Sequence, residues 1–371
     1  MTINTGRRSA AGVFLTMGRL EVEYWNIVSV RERTLLWREV ELMKQLGTVG
    51  LSRLREHVKF ATVSLTVGLL LFTGLLNCRA ANEGSDGGDI NKIIKVSDDT
   101  GYRLELKKVP ARIISIAPNV TEILFAIKAD DKLVAVTDIC NFPEAAKSKP
   151  TIGDFVSPSL ERIIAFEPDL VIGCGTLHPV LGRLRELGVP VLSFNPSTLD
   201  ELFVMIEKTG KATGREENAR ELSASLRNEV EVVRSRVAQV KSANRVKVFV
   251  ELWHDPLMTV GAGSFVNDLV ENAGAVNVGA SIGTGYFEVS HERVLDANPQ
   301  VIVAAYMEKG TSARNLIMSR ETWRSVSAVA SGRVFDDIDP DLLLRPSVRA
   351  VHTVRALAER FYPELFGKTT R

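Results

Sequence analysis

At 371 residues, 45% apolar and 25% charged, the chain has a globular composition with room for two ordinary domains and an appendage. Forty-six basic against forty-five acidic residues leave a net charge of +1, which excludes the basic footprint of a nucleic-acid binder. Three cysteines are too few for a disulfide framework.

Residues 1–59 read as an N-terminal extension, disordered or misassigned. Residues 1–42 carry no apolar stripe of useful length, and Met43 with Lys44 would make a start nearer the export signal. Arg7 and Arg8 invite a twin-arginine reading, but AAGVFLTMG behind them is short and gives way to charged residues. Residues 60–78 are the signal or anchor segment: FATVSLTVGLLLFTGLL is uncharged and is preceded by Arg53, Arg55, His57 and Lys59. Its length lies at the lower limit for a membrane span, about 17–25 residues, and is long for a signal core of roughly 7–15. Cys78 follows in LLNC, which resembles the lipobox of bacterial lipoproteins, with Asn77 where a small residue is usual. Cys78 is therefore the candidate lipidation site, and an uncleaved anchor is the alternative. Residues 79–92, polar and glycine-rich, read as a flexible linker.

The folded body is expected from Ile93. IIKVSDDTGYRLEL alternates like a hairpin with its turn at Asp98 to Gly101, RIISIA is the first buried strand, and VTEILFAIKA is a helix. Strands and helices then alternate through KLVAVTD, DLVIGC, VLGRLRELG and VPVLSF, a parallel α/β N-terminal lobe over 93–198. Residues 199–243, amphipathic and with few breakers, read as one long connecting helix, stiff enough to permit only modest lobe closure. The C-terminal lobe, 244–371, opens with the strand RVKVFVELW, repeats the first architecture, and closes on the amphipathic helix SVRAVHTVRALAERFYPELF. The fold class is α/β, with two parallel-sheet lobes joined by a long helix and a ligand cleft between them.

A fourteen-residue unit occurs once per lobe: SLERIIAFEPDLVI from Ser159 and SHERVLDANPQVIV from Ser290. Glu161 to Glu292 and Pro168 to Pro299 are both 131 positions apart, far beyond the period of a solenoid, roughly 20–50 residues. In each unit the serine is expected to cap a short helix, the glutamate to sit in its first turn, and the proline to end it before a buried strand. The glutamates either only complement the helix dipole or serve as paired features of a bilobed surface.

These stretches, with PARIISIAPNVTEILFAI, VELWHDPLMTVGAGSFVNDLV and DPDLLLRPSVRAV, resemble over about residues 93–366 the substrate-binding proteins of bacterial ABC importers for vitamin B12 and ferric siderophores. The resemblance implies that Glu161 and Glu292 form salt bridges with permease arginines, and that the partners are an ABC permease with its ATPase subunits. It also implies a monomer on the periplasmic or outer face of the cytoplasmic membrane, with no enzymatic activity and no cofactor besides its cargo. Cargo is expected at the carboxyl ends of the strands, where α/β sheets place ligands. Those ends are Asn119, Ile139, Phe155, Cys174, Trp253, His254, Tyr286 and Arg345. By the resemblance, the positions near Ile139, Phe155, Cys174 and Tyr286 face a large planar ligand; Ile139 and Cys174 depart from the aromatics usual there. Trp253 either stacks on a macrocycle or fills the core, His254 either meets a cobalt or an anionic group or caps a turn with Asp255, and Arg345 pairs either with a ligand anion or across the lobes. The cargo is a corrinoid first and a ferric siderophore or heme second.

Two rival classes are weaker. GASIG at Gly279 to Gly283 formally matches a hydrolase elbow but lies in a glycine-rich loop, away from a strand-to-helix turn. A transition-metal site would need three or four converging ligands, and of His178, His254, His291 and His352 only His178 and His254 fall at strand ends. Cys140 and Cys174 either pair across space or act as small buried hydrophobes.

Overall fold

The computed structural model describes residues 93–175, 179–307 and 312–366. The extension, the anchor segment with Cys78, the linker and His178 lie outside them.

β1 (Ile94–Ser97) and β2 (Arg103–Leu106) form the expected hairpin, with Ile94 opposite Leu106. Its turn is organised by Asp98, one of whose oxygens accepts from the N–H groups of Thr100 and Tyr102, each at 3.0 Å. The other oxygen accepts from Ser193 N–H at 2.9 Å and from Arg185, so one buried carboxylate both shapes the turn and docks the hairpin on the lobe.

The N-terminal lobe runs β3 (Ile113–Ser115), α1 (Pro118–Ala126), β4 (Leu133–Ala135), α2 (Leu160–Ala165), β5 (Leu170–Cys174), α3 (Pro179–Glu186) and β6 (Val191–Phe194). Its four strands are all parallel in the order β4-β3-β5-β6. Two helices follow, α4 (Leu199–Thr213) and α5 (Glu216–Val237). The stretch expected as one helix thus breaks at Gly214, whose φ of +70° ends α4 in the left-handed region. A Cβ on Gly214 would also come within 2.8 Å of the Val109 side chain, so glycine is required there twice over. Gly210 lets α4 and α5 pack closely, since a Cβ on it would meet the Ala219 Cβ at 2.2 Å. α5, with 22 residues and hence about 33 Å of rise, is the long connecting helix.

The C-terminal lobe contains β7 (Lys247–His254), β8 (Leu257–Val260), α6 (Phe265–Asn272), β9 (Val276–Asn277), β10 (Tyr286–Glu288), α7 (His291–Ala297), β11 (Val301–Ala304), α8 (Ala313–Ser319), β12 (Val334–Phe335), α9 (Pro340–Leu344) and α10 (Ala350–Phe361). Its parallel set β9-β7-β11-β12 repeats β4-β3-β5-β6. The sheet is nevertheless mixed, because β7 runs on past its pairing with β9 and turns back at Asp255 and Pro256 into β8, to which β10 pairs antiparallel. Both sheets are covered on two faces, as parallel strands require. Ile113, Ile172, Phe194, Val248, Val250 and Val303 belong to one apolar cluster with α1, α4, α5, α6 and α10, a helical layer that both sheets share. Outer clusters lie under α2 and α3 in one lobe and under α7 and α8 in the other.

Where the lobes meet, Glu122 of α1 is fully buried and takes Arg349 on both oxygens, at 2.8 and 2.6 Å. Arg345 completes the seam, 3.8 Å from Glu122, 2.9 Å from Asp341 and donating at 2.8 Å to Asn141 Oδ1. Removing one partner of a buried pair leaves an uncompensated charge, which costs several kcal/mol. Arg349→Met is therefore expected to lower stability by about 3 kcal/mol in urea unfolding, while Arg324→Met, in an exposed pair with Glu321, should change it by less than about 1 kcal/mol; equal effects would show that the seam is not a stabilising contact.

Candidate functional site

The two repeat units build matching surface features. Ser159 caps α2 by accepting from Arg162 N–H at 3.2 Å and donates at 3.0 Å to Glu161, which is exposed. Glu292 is exposed at the same point of α7, but Ser290 makes no capping bond; its hydroxyl is engaged by the Glu292 carboxylate instead. Both helices stop at a left-handed residue, Glu167 at φ +46° and Asn298 at φ +43°, immediately before Pro168 and Pro299. The prolines follow the stop rather than cause it. Both carboxyl groups are held below their ordinary value of 4.5, first by the free N–H of the helical turn and then by the neighbouring serine. Neither carboxylate is in an ion pair with any of the described residues. Each lobe thus presents an ionised, unneutralised carboxylate on a short rigid helix.

At the carboxyl edge of the N-terminal sheet, Asn119 and Cys174 come together, the amide donating at 3.4 Å to Sγ and at 3.4 Å to the Pro346 carbonyl across the seam. Both are buried, and burial pushes the Cys174 thiol up to about 11. Cys140 is buried beside Thr121 and Thr137, each at 3.2 Å, and both cysteines are unpaired. Phe155 is buried and Ile139 half-buried, packed in the lobe's core. Arg345 lies in the seam already described, which is its interlobe alternative. Asn141, Asp341, Glu122 and Arg349 join it there, and Phe142, 42% exposed, carries the Arg349 guanidinium 4.1 Å from its ring centre.

On the C-terminal sheet, Tyr286 opens β10 rather than ending a strand, and its ring is buried with the Val266 backbone at its hydroxyl. Trp253 and His254 end β7, both half-buried, with Trp253 Nε1 donating at 2.8 Å to the Asp255 carbonyl. His254 does not bond Asp255: its Nδ1 is buried without a partner, and its ring stacks on Tyr306 at 5.6 Å. Tyr306 follows β11 at the 131-residue offset from Gly175, so the repeat marks it as a strand end that the sequence reading passed over. His291 lies against Trp323 and His352 beside Glu229, away from His254, and among the described residues no group of three metal-ligating side chains converges. The Ser281 hydroxyl donates to the Val278 carbonyl at 2.8 Å, a local turn bond.

Residues 113–341 match the family model described as periplasmic binding protein, and the chain belongs to that family. A vitamin B12-binding protein of Vibrio cholerae is 30% identical over 255 residues, 67% of this chain and 88% of that protein. An ABC transporter substrate-binding lipoprotein of Bacillus subtilis is 29% identical over 279 residues, 74% of this chain and 87% of the relative. Among solved structures, the V. cholerae periplasmic vitamin B12 binding protein aligns with a TM-score of 0.60 and 27% identity, covering 70% of this chain and 99% of that one. A periplasmic heme-binding protein from Roseiflexus, in its apo form, aligns with a TM-score of 0.61 and 25% identity, covering 68% and 98%. These relatives are binding proteins of the ABC importer type, and the two-lobed α/β fold is theirs.

Because each folded-state value is depressed, whatever Glu161 and Glu292 contribute is present above pH 4.5 and lost as pH falls through the lowered value. Carboxyl-carbon NMR titration should place both below 4.5, and Ser159→Ala should raise Glu161 alone; an unmoved Glu161 would assign its depression wholly to the helix turn.

Proposed function

We propose that the chain is the membrane-tethered solute-binding component of an ABC importer, which captures a corrinoid and hands it to the permease and its ATPase subunits. The relationship to vitamin B12-binding proteins, along nearly their full length, carries this reading. Heme or a ferric siderophore is the second reading, supported by the likeness to the Roseiflexus heme-binding protein.

Cargo rests between the lobes at the strand ends, where Ile139, Trp253 and His254 are the half-buried members of the expected set, while Asn119, Phe155, Cys174, Tyr286 and Arg345 are buried and back that surface. Arg345 can exchange part of its pairing with Asp341 for a ligand carboxylate or phosphate, which a guanidinium fork suits. Glu161 and Glu292 dock on permease arginines, one per lobe, and fix orientation on a two-fold partner. Exposed pairs of this kind are worth roughly 0.2–1 kcal/mol each, so docking must also bury apolar surface. Ile164, one turn after Glu161 and 44% exposed, supplies some of it. Cys78, acylated, or an uncleaved segment 60–78 ties the body to the outer face of the cytoplasmic membrane.

Calorimetric titration of the full chain in detergent with cyanocobalamin, hemin and a ferric hydroxamate separates the readings: cyanocobalamin binding supports the first, binding of only the iron ligands moves the assignment to the second, and failure of all three refutes both. Glu161→Lys with Glu292→Lys should abolish uptake in cells and leave ligand affinity nearly unchanged; lost affinity in the double variant would refute the docking role.

A further inference from the structure

Three aromatic rings meet where β7 and β11 end side by side. Ala304 is the register partner of Glu251, so Tyr306, two residues on, arrives beside Trp253 and His254. Tyr306 lies 5.7 Å from Trp253 and 5.6 Å from His254, the latter nearly parallel at 27°, and Trp253 and His254 are 4.8 Å apart. Trp253 and His254 are half-buried and keep open edges, whereas Tyr306 is buried beneath them.

What backs Tyr306 is a charge network. Its hydroxyl donates to Glu251, whose side chain is fully buried, and Arg320 grips the same carboxylate with two bonds of 2.7 and 2.6 Å. The Arg320 guanidinium in turn lies 4.4 Å from the Trp323 ring centre. Burying such a pair is costly, and an apolar filling would hold the sheet as well. A fully satisfied network does confer something apolar packing does not, a single fixed orientation for the group it holds. The Tyr306 hydroxyl, both Glu251 oxygens and both terminal nitrogens of Arg320 have partners, whereas Nδ1 of the neighbouring His254 has none.

Among the described residues the repeat does not duplicate this trio in the N-terminal lobe. Gly175 stands at the position equivalent to Tyr306, and Cys174 and Ile139 occupy places where aromatics were expected.

We propose that Tyr306 is a positioning residue for cargo capture: pinned by the Glu251–Arg320 pair, it holds Trp253 and His254 as a fixed wall on the C-terminal lobe, against which a flat conjugated chelate rests. This rests on the capture reading above, and adds that the C-terminal lobe carries at its strand ends a stacked aromatic trio that the repeat does not duplicate at Gly175.

The test uses the full chain in detergent, carbon-13 labelled at its five histidines. The His254 resonance, identified by its loss in His254→Gln, should show ring-current displacement that is reduced in Tyr306→Phe, which keeps the ring but loses its hydroxyl anchor, and reduced further in Tyr306→Leu, where only Trp253 remains beside it. Whichever of cyanocobalamin, hemin or a ferric hydroxamate binds the unaltered chain should bind Tyr306→Phe about threefold and Tyr306→Leu about tenfold more weakly, as expected for a ring first loosened and then lost. Melting temperatures of the two variants control for general damage, and partial rescue by phenylalanine is the outcome that mere loss of fold would not produce. An undisplaced His254 signal in the unaltered chain, or a Tyr306→Leu variant binding as tightly as it does, overturns the proposal. Failure of all three probes to bind the unaltered chain overturns the capture reading instead, and the histidine spectrum then decides by itself whether Tyr306 positions His254.

Discussion

The Glu122–Arg349 pair joins residues 227 positions apart, and the arrangement of the lobes depends on it more than on any other polar contact at the seam. A fully buried carboxylate tolerates no separation from its guanidinium, because in a low-dielectric interior the cost of exposing it unpaired exceeds anything a surface contact returns. The apolar layer of α1, α4, α5, α6 and α10 acts in the same direction, since it belongs to the core of both sheets at once. Together they make the lobes two faces of one interior, which is the physical ground for expecting only modest closure between them.

Duplication explains why the two repeat units differ only where their surroundings differ. Each short helix begins with a serine, carries an exposed glutamate and ends on a left-handed residue before proline. Equal local sequence yields equal local geometry because the interactions involved span four or five residues. Ser290 differs from Ser159 in lacking the bond from a backbone N–H; both hydroxyls act on the glutamate carboxylate, and both leave it ionised.

The lobes, the alternation of strands and helices, and the prongs were readable in the chain for the same reason: buried strands, caps and repeats are short-range signals. The misses were long-range. Gly214 looks like any helix-interior glycine until Val109, far away in sequence, closes over it. The second sheet was expected to be all parallel because nothing in VELWHDPLMTV announces that the strand turns back on itself; the alternation is equally compatible with a loop. Glu122 was hidden inside an apolar helix, and only Arg349 from the far end of the chain reveals why a charge is tolerated there. Tyr306 could have been found, since the 131-residue offset points to it, but a tyrosine after VIVAA reads as ordinary loop chemistry until Glu251 and Arg320 are seen behind it.

Symmetry in one property and its absence in another then follow from what each surface meets. The prongs lie outside, on equivalent helices, and a two-fold partner would select for their equality. On the proposed reading a single cargo molecule would present a different side to each lobe, and nothing would favour keeping the strand ends alike. β7 illustrates the freedom this gives: it outgrows β3 by five residues, and the extra length carries Trp253 and His254 to the edge where β11 delivers Tyr306. The duplicated frame supplies position, and the added hairpin supplies chemistry. Specificity in such a molecule is therefore a property of the departures from the repeat rather than of the repeat itself.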